Sequence, residues 1–134
     1  MRPSGKTPSV GVGVTAVIVD AGPIVAWLNR ADRYHEWAKA RFGALVPPLL
    51  TCEAVLSEAA HVLRRARGST SEVVALVHRG VFRIPFALEA EAEAIERLMR
   101  RYRTLAMSLA DACLVRMSEL HPRSRVFTTD SDFT

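Results

Sequence analysis

Cysteine is scarce in this 134-residue sequence, which contains only Cys52 and Cys113. The two lie far apart in apolar surroundings, so they match neither the close cysteine pairs of a zinc knuckle nor the dense pattern of a disulfide scaffold. A cytoplasmic location, where thiols stay reduced, is the simplest interpretation.

Long apolar runs are also missing. No segment reaches the roughly 18 apolar residues of a membrane span, and the stretch from Val10 to Val19 is interrupted by two glycines and a threonine. The polar N-terminus lacks the apolar stretch and cleavage site of a secretory signal. We therefore expect no membrane association, a flexible leader over residues 1–14 and one domain over residues 15–134.

Several catalytic motifs are absent as well. No nucleophile-elbow motif surrounds Ser57 or Ser108, and no glycine-rich dinucleotide fingerprint follows a predicted strand. Arginine, in contrast, is abundant and carries most of the positive charge in a chain of net charge +4 and pI about 9.7. Guanidinium groups pair well with phosphate, so a polyanionic partner is favoured, although charge alone defines no chemistry.

From Thr15 onward, short apolar runs alternate with helical periodicity, which predicts an α/β fold with a parallel sheet. The predicted strands are 16–19, 49–50, 81–84 and 125–128. The predicted helices are 23–28, 33–42, 52–67, one that ends near residue 79, 89–101 and 108–120. Ser69 and Glu72 have the spacing of a capping box and are expected to start the fourth helix.

Asp20 directly follows an apolar strand, at the position where open α/β sheets bind ligands. Capping of the next helix is the alternative role. Gly22 precedes Pro23, the predicted first helical residue, and so takes the N-cap position itself. A functional role is therefore favoured for Asp20.

Glu58 is expected on the apolar side of its helix. At about 100° per residue it falls about 60° from Val55, along the apolar stripe. A carboxylate on a buried face is costly unless a cation or hydrogen-bond donors meet it. The alternative is a buried salt bridge with Arg64 or Arg65.

Asp111 stands three residues after Ser108, in the first half of an otherwise apolar helix. It could complete a capping arrangement with Ser108, or it could bind a metal. Both roles can coexist, because the positive field at a helix N-terminus keeps a carboxylate ionised.

Asp130 and Asp132 follow the last predicted strand, where Asx turns often explain aspartates. If the strands are parallel, Asp130 emerges at the same sheet edge as Asp20, and two helices could bring Glu58 and Asp111 there. Oxygen donors without histidine or cysteine suit Mg²⁺ or Mn²⁺ rather than zinc.

Four short motifs carry a family resemblance. They are Asp-Ala-Gly-Pro at 20–23, Leu-Ser-Glu-Ala-Ala-His-Val-Leu at 56–63, Ser-Leu-Ala-Asp-Ala-Cys-Leu at 108–114 and Thr-Thr-Asp-Ser-Asp-Phe at 128–133. In this order the motifs resemble those of PIN-domain ribonucleases, especially the VapC toxins of bacterial toxin–antitoxin pairs. The resemblance covers about residues 15–134.

The resemblance implies a three-layer α/β/α sandwich with a central, mainly parallel sheet, and a Mg²⁺- or Mn²⁺-dependent endoribonuclease. It implies that Asp20, Glu58, Asp111 and Asp130 form a catalytic, metal-binding quartet, with Asp132 as a further ligand. It also implies an RNA substrate, a cognate antitoxin and a homodimer. Related chains generally continue through another C-terminal strand, which is expected to be missing here.

Candidate RNA contacts follow from charge balance, because the acids would hold cations, the cations a phosphodiester, and arginines the rest of the RNA backbone. Three arginines at the end of the third predicted helix, Arg64, Arg65 and Arg67, are expected to meet phosphates, and a second group consists of Arg97, Arg100, Arg101 and Arg103. Solvated helix ends are the alternative for each. The rival functions are a PIN-like module that binds RNA or protein without cutting, and a DNA nuclease or phosphatase of similar topology.

Overall fold

Four parallel strands form one sheet in the computed structural model, which describes residues 13–129. They are β1 (Ala16–Val19), β2 (Leu49–Leu50), β3 (Phe82–Arg83) and β4 (Ser124–Phe127), in the order β3-β2-β1-β4. The predicted parallel α/β architecture is thus confirmed. β1 has neighbours on both sides, pairing Ile18 with Leu50 of β2 and Val19 with Phe127 of β4.

Six α-helices and one 3₁₀ turn connect these strands. They are α1 (Ala21–Leu28), α2 (His35–Ala44), α3 (Glu53–Arg65), α4 (Ser71–His78), α5 (Leu88–Arg101), the 3₁₀ turn Arg103–Leu105 and α6 (Leu109–Leu120). Val17, Ile18 and Val19 point alternately to opposite faces of the sheet, and all three are buried. Both faces of the central strand are therefore covered, which explains its continuous β-branched run.

An aromatic cluster holds α1 and α2 against the sheet. The rings of Trp27 and Phe42 stack at 4.2 Å between centroids, and Phe42 lies 5.0 Å from Phe127. Trp37 packs edge-on to Phe127 at 5.4 Å. These contacts fix α2 beside the end of β4, from which the chain passes to the candidate site.

The boundaries of α1 and α2 are among those that differ from the prediction. α1 begins at Ala21 rather than at Pro23, so the proline lies within the first turn, where its missing N–H costs nothing. α2 begins at His35 and continues through Gly43 to Ala44. A glycine so close to a helix end leaves few hydrogen bonds to weaken.

The predicted capping box at the start of α4 was wrong. The N-cap is Thr70, which makes no side-chain capping bond, and Glu72 lies in the first turn. The Ser69 hydroxyl instead lies 3.0 Å from the hydroxyl of Ser71. Here a short side-chain contact has replaced the capping interaction that the spacing indicated.

Within residues 13–129 no helix combines the length and apolarity that crossing a bilayer requires.

Candidate active site

Asp20 lies at the carboxyl end of the central strand, in the gap before α1. Its backbone N–H continues the sheet by donating to the Phe127 carbonyl at 3.0 Å. One carboxylate oxygen accepts from the Ala21 N–H at 2.7 Å and the other accepts from the Thr128 hydroxyl at 2.9 Å. Asp20 is therefore the N-cap of α1, and the assignment of that position to Gly22 was wrong because the helix starts two residues before Pro23.

Two buried threonines position the end of β1. Thr128 binds the Asp20 carboxylate directly, and the fully buried Thr51 hydroxyl donates to the Val19 carbonyl at 3.0 Å. Thr51 was missed by the sequence reasoning, since a single threonine after a two-residue strand has no distinctive pattern. The Thr51 hydroxyl holds the backbone just before Asp20, and the Thr128 hydroxyl holds the Asp20 carboxylate itself.

Gly22 allows β4 to approach α1. A Cβ atom built on Gly22 would overlap the Thr129 hydroxyl and come within 3.3 Å of the Thr129 Cβ. Only glycine therefore fits at position 22 against the segment that contains Thr129. Asp130 is the next residue after Thr129 in the sequence. The glycine in the Asp-Ala-Gly-Pro motif therefore sets how close the segment after β4 comes to α1.

Glu58 lies in the middle of α3 and is exposed, so the expectation of a buried carboxylate was wrong. Its helical position borders the stripe of Val55, Ala59 and Leu63 but stays outside it. Instead of facing the core, the side chain lines a cavity of about 400 Å³ that is also lined by Gly22 and by the segment between α1 and α2. The alternative ion pair with Arg64 or Arg65 is absent among residues 13–129.

Asp111 occupies the first turn of α6 and forms the capping box that its spacing suggested. Its N–H donates to the Ser108 hydroxyl at 3.0 Å, and its carboxylate accepts from the Ser108 N–H at 3.2 Å. The side chain is half-buried. Capping uses one carboxylate oxygen and leaves the other without a hydrogen-bond partner in the described residues. That second oxygen can serve as a metal ligand while the first caps the helix.

The three carboxylates share one electrostatic environment. The pKa of Glu58 is raised by partial burial, then by the negative charges of Asp20 and Asp111. No group of three acidic, histidine or cysteine side chains within residues 13–129 is tight enough to form a complete metal site. The arrangement nevertheless fits a divalent cation, because it gathers hard oxygen donors whose mutual repulsion a cation would relieve.

Asp130 and Asp132 lie outside the described residues. The expected absence of a further C-terminal strand therefore stays a prediction. What the structure does describe is the segment that leads to them. Thr128 and Thr129 leave the sheet beside Asp20 and Gly22. The predicted place of Asp130 in the quartet stays a prediction.

The two cysteines join the helices that carry Glu58 and Asp111. Cys52 is the N-cap residue of α3 and Cys113 lies in α6; both are buried and their thiols are hydrogen-bonded to each other. Burial, followed by the charge and hydrogen bond of Cys52, raises the pKa of Cys113 to about 12. These buried thiols therefore stay protonated at neutral pH and pack α3 against α6.

The candidate arginines fall into two groups. Arg64, Arg65 and Arg67 are exposed and form no ion pair in the described range. On α5, by contrast, Arg97 and Arg100 are paired with glutamates one turn earlier, at 3.6 Å and 3.0 Å. Pairing within the helix explains those two arginines without RNA.

Comparisons with known proteins agree with this geometry. The family model of the PIN domain matches residues 17–134. No curated protein gives a significant match. Among solved structures, the fold is similar to that of VapC20 from Mycobacterium tuberculosis, described as a toxin that cleaves the sarcin–ricin loop; the TM-score is 0.75, and the 24% identical alignment covers 88% of this chain and 92% of that chain. Since the family model spans most of the sequence, this chain belongs to the PIN domain family.

Proposed function

We propose that this protein is a metal-dependent endoribonuclease that hydrolyses RNA phosphodiester bonds and acts as the toxin of a toxin–antitoxin pair. The observation that carries the proposal is the convergence of Asp20, Glu58 and Asp111 on one electrostatic site at the carboxyl edge of the sheet. Membership of the PIN family and the likeness to the RNA-cleaving VapC20 support RNA as the substrate.

The residues that would hold Mg²⁺ or Mn²⁺ are Asp20, Glu58 and Asp111, with Asp130 and Asp132 as further predicted ligands. When bound, such a cation supplies Lewis acidity to the phosphodiester and lowers the pKa of coordinated water. The chain supplies the positioning. Asp20 and Asp111 are each fixed by hydrogen bonds at a helix N-terminus, so little side-chain freedom is lost when they bind.

Among the three arginines at the end of α3, Arg65 is the best placed to hold the RNA backbone. It lies seven residues after Glu58, so it falls on nearly the same side of α3, about 10 Å further along the axis. Val62, which lies between them on that side, lines the same cavity as Glu58. Arg64 points about 100° away from Arg65. A strand that reaches the carboxylates along α3 would therefore meet Arg65 first.

Cleavage assays test the proposal directly. Matched RNA and DNA strands are incubated with the purified protein in Mg²⁺ or Mn²⁺, with and without EDTA, beside an Asp111→Asn variant. We expect RNA cleavage that requires the metal and is lost in the variant. Cleavage of DNA alone would instead assign a DNA nuclease, and RNA binding without cleavage would assign a binding module.

Partners and location belong to the same proposal. We expect a cognate antitoxin that silences the nuclease, a homodimer and a cytoplasmic location, which agrees with two unpaired, buried cysteines. Light scattering coupled to gel filtration measures the dimer. Expression of the chain in a bacterial host, with and without the neighbouring short reading frame, tests the toxin and its antitoxin: growth arrest relieved by co-expression is the expected result.

A further inference from the structure

The cavity beside the carboxylates has features that phosphodiester hydrolysis does not explain. Its volume of about 400 Å³ lies within the range of small-ligand sites. Glu58 and Thr129 form the side next to the active site, and Val25 and Val62 form an apolar wall. The remaining wall comes from the segment between α1 and α2, which presents Asp32, Arg33 and Tyr34.

That segment is held in place before any ligand arrives. Asp32 N–H donates to the Asn29 carbonyl at 3.0 Å, and His35 N–H donates to the Asp32 carbonyl at 2.9 Å. The Asp32 carboxylate accepts from Tyr34 N–H at 2.8 Å, and the His35 ring donates to the Ala26 carbonyl at 2.9 Å. A loop with so many internal bonds presents its side chains at little entropic cost.

Tyr34 and Arg33 form a stacked pair of an aromatic ring and a cation on this loop. The Arg33 guanidinium carbon lies 4.7 Å from the centre of the Tyr34 ring, and its Nη2 donates to the Tyr34 hydroxyl at 2.8 Å. Tyr34 is 40% exposed, and Arg33 forms no ion pair within residues 13–129. Exposed aromatic rings and arginine planes are the groups on which unpaired nucleobases stack.

We infer that this cavity is a nucleobase subsite that binds an unpaired base next to the scissile phosphate. The inference rests on the proposed ribonuclease function and adds what selects the cleavage position. The base stacks on Tyr34, the Arg33 guanidinium contacts the adjoining phosphate, and Val25 and Val62 exclude water from the base. Since Glu58 lines the same cavity, a base held there places its neighbouring phosphodiester at the carboxylates.

Asp32 gives the subsite a chemical preference. One carboxylate oxygen is used by Tyr34 N–H, and the other has no hydrogen-bond partner among the described residues. A carboxylate oxygen only accepts hydrogen bonds. It therefore favours an exocyclic amino group, which projects from the edge of a base, over the N3–H of uracil, which is flanked by two carbonyl oxygens that repel the carboxylate. We therefore expect adenine, guanine or cytosine to be preferred over uracil at this position.

The experiment maps cleavage sites in a random-sequence RNA pool with Mg²⁺ by sequencing the ends produced. Tyr34→Ala should lower kcat/KM by about 5- to 150-fold, the value of one lost base stack, and should flatten the preference at one nucleotide position. Tyr34→Phe, which keeps the ring, should retain the preference. Asp32→Asn preserves the loop-forming acceptor but replaces the free oxygen by a donor, and should reverse the discrimination against uracil.

Tyr102→Ala is a matched control, because Tyr102 also stacks with a neighbouring arginine, Arg101, but does not line the cavity. It should leave both the rate and the preference unchanged. Arg33→Ala changes an exposed side chain and provides a second test of the subsite if Tyr34→Ala proves unstable in thermal unfolding. It should lower kcat/KM and reduce the salt dependence of RNA binding.

Binding of labelled oligoribonucleotides to Asp20→Asn protein gives a readout that does not depend on cleavage, and Tyr34→Ala in that background should weaken it. If the wild type cuts RNA while Tyr34→Ala and Arg33→Ala leave rate, affinity and base preference unchanged, the subsite is refuted and the nuclease stands. If the wild type neither cuts nor binds RNA, both proposals fail together.

Discussion

Asp20 has two roles that different substitutions separate. Its carboxylate caps α1 and accepts the Thr128 hydroxyl, and its charge is proposed to hold a metal. Asparagine caps helices about as well as aspartate. Its amide oxygen can still accept from Ala21 N–H, and its NH₂ group can donate to the Thr128 hydroxyl, since a hydroxyl both donates and accepts. Alanine can do neither.

The expected stabilities follow from these contacts. Asp20→Ala loses an N-cap, worth about 0.5–2 kcal/mol, and a hydrogen bond to a charged acceptor, worth about 1.5–3 kcal/mol. We expect a loss of about 2–5 kcal/mol in the free energy of unfolding. Asp20→Asn should stay within about 0.5 kcal/mol of the wild type. In the absence of metal, a small part of this difference should favour the Asp20→Asn variant, because the Glu58 carboxylate loses a repulsive neighbour.

Urea unfolding in EDTA at neutral pH measures these differences, and repeating it with Mn²⁺ measures the metal. The wild type should be stabilised by Mn²⁺, since a ligand that binds the folded state alone raises its stability. Asp20→Asn should respond far less and should not cleave RNA. If Asp20→Asn is as unstable as Asp20→Ala, the hydrogen-bond argument fails. If it cleaves RNA at the wild-type rate, Asp20 is not the metal ligand we propose.

Three further predictions test the surroundings of the site. Gly22→Ala should lower the rate of RNA cleavage by about 100-fold, because it displaces the segment after β4. Adding Thr129→Ala to the same chain should restore part of the rate. If the rate does not recover, the overlap with Thr129 is not the cause. Ser108→Ala should cost about 0.5–2 kcal/mol in urea unfolding by removing the cap of α6; an unchanged midpoint would contradict the capping box. Arg65→Ala should reduce the slope of log RNA affinity against log salt concentration by about one, whereas Arg64→Ala should leave it unchanged. Equal effects of the two substitutions would refute the orientation assigned to α3.

Much of the fold was predictable because its signals are local. The β-branched run of β1 allows only a buried central strand, and the acids and arginines at opposite ends of α5 mark its length to within a residue. The capping box of α6 follows from two residues at fixed spacing. Such features depend on neighbours in the sequence, which the sequence shows directly.

Two features that the sequence did not reveal, the exposure of Glu58 and the role of Thr51, depend on contacts across the fold. Glu58 has helical spacing compatible with burial, but its exposure depends on where α1 and the segment after it leave a cavity. Thr51 acts on the end of β1 through a bond between residues 32 positions apart. Periodicity reports which side of a helix is apolar; it does not report which neighbouring element covers the rim of that side.

The three described carboxylates differ in how the protein compensates their charge, and this bears on where a cation would contribute most. Asp20 caps α1 and Asp111 lies in the first turn of α6, so each sits in the positive field of a helix N-terminus and accepts a backbone N–H. Glu58, in the middle of α3, has neither, and its pKa is raised by partial burial and then by the negative charges of Asp20 and Asp111. A cation at this site would therefore relieve the repulsion at Glu58 most, while Asp20 and Asp111 are already held in place. This division predicts that Glu58→Gln weakens Mn²⁺ binding with little loss of stability in EDTA. Asp20→Ala and Asp111→Ala, in contrast, should each lower both the Mn²⁺ affinity and the stability in EDTA.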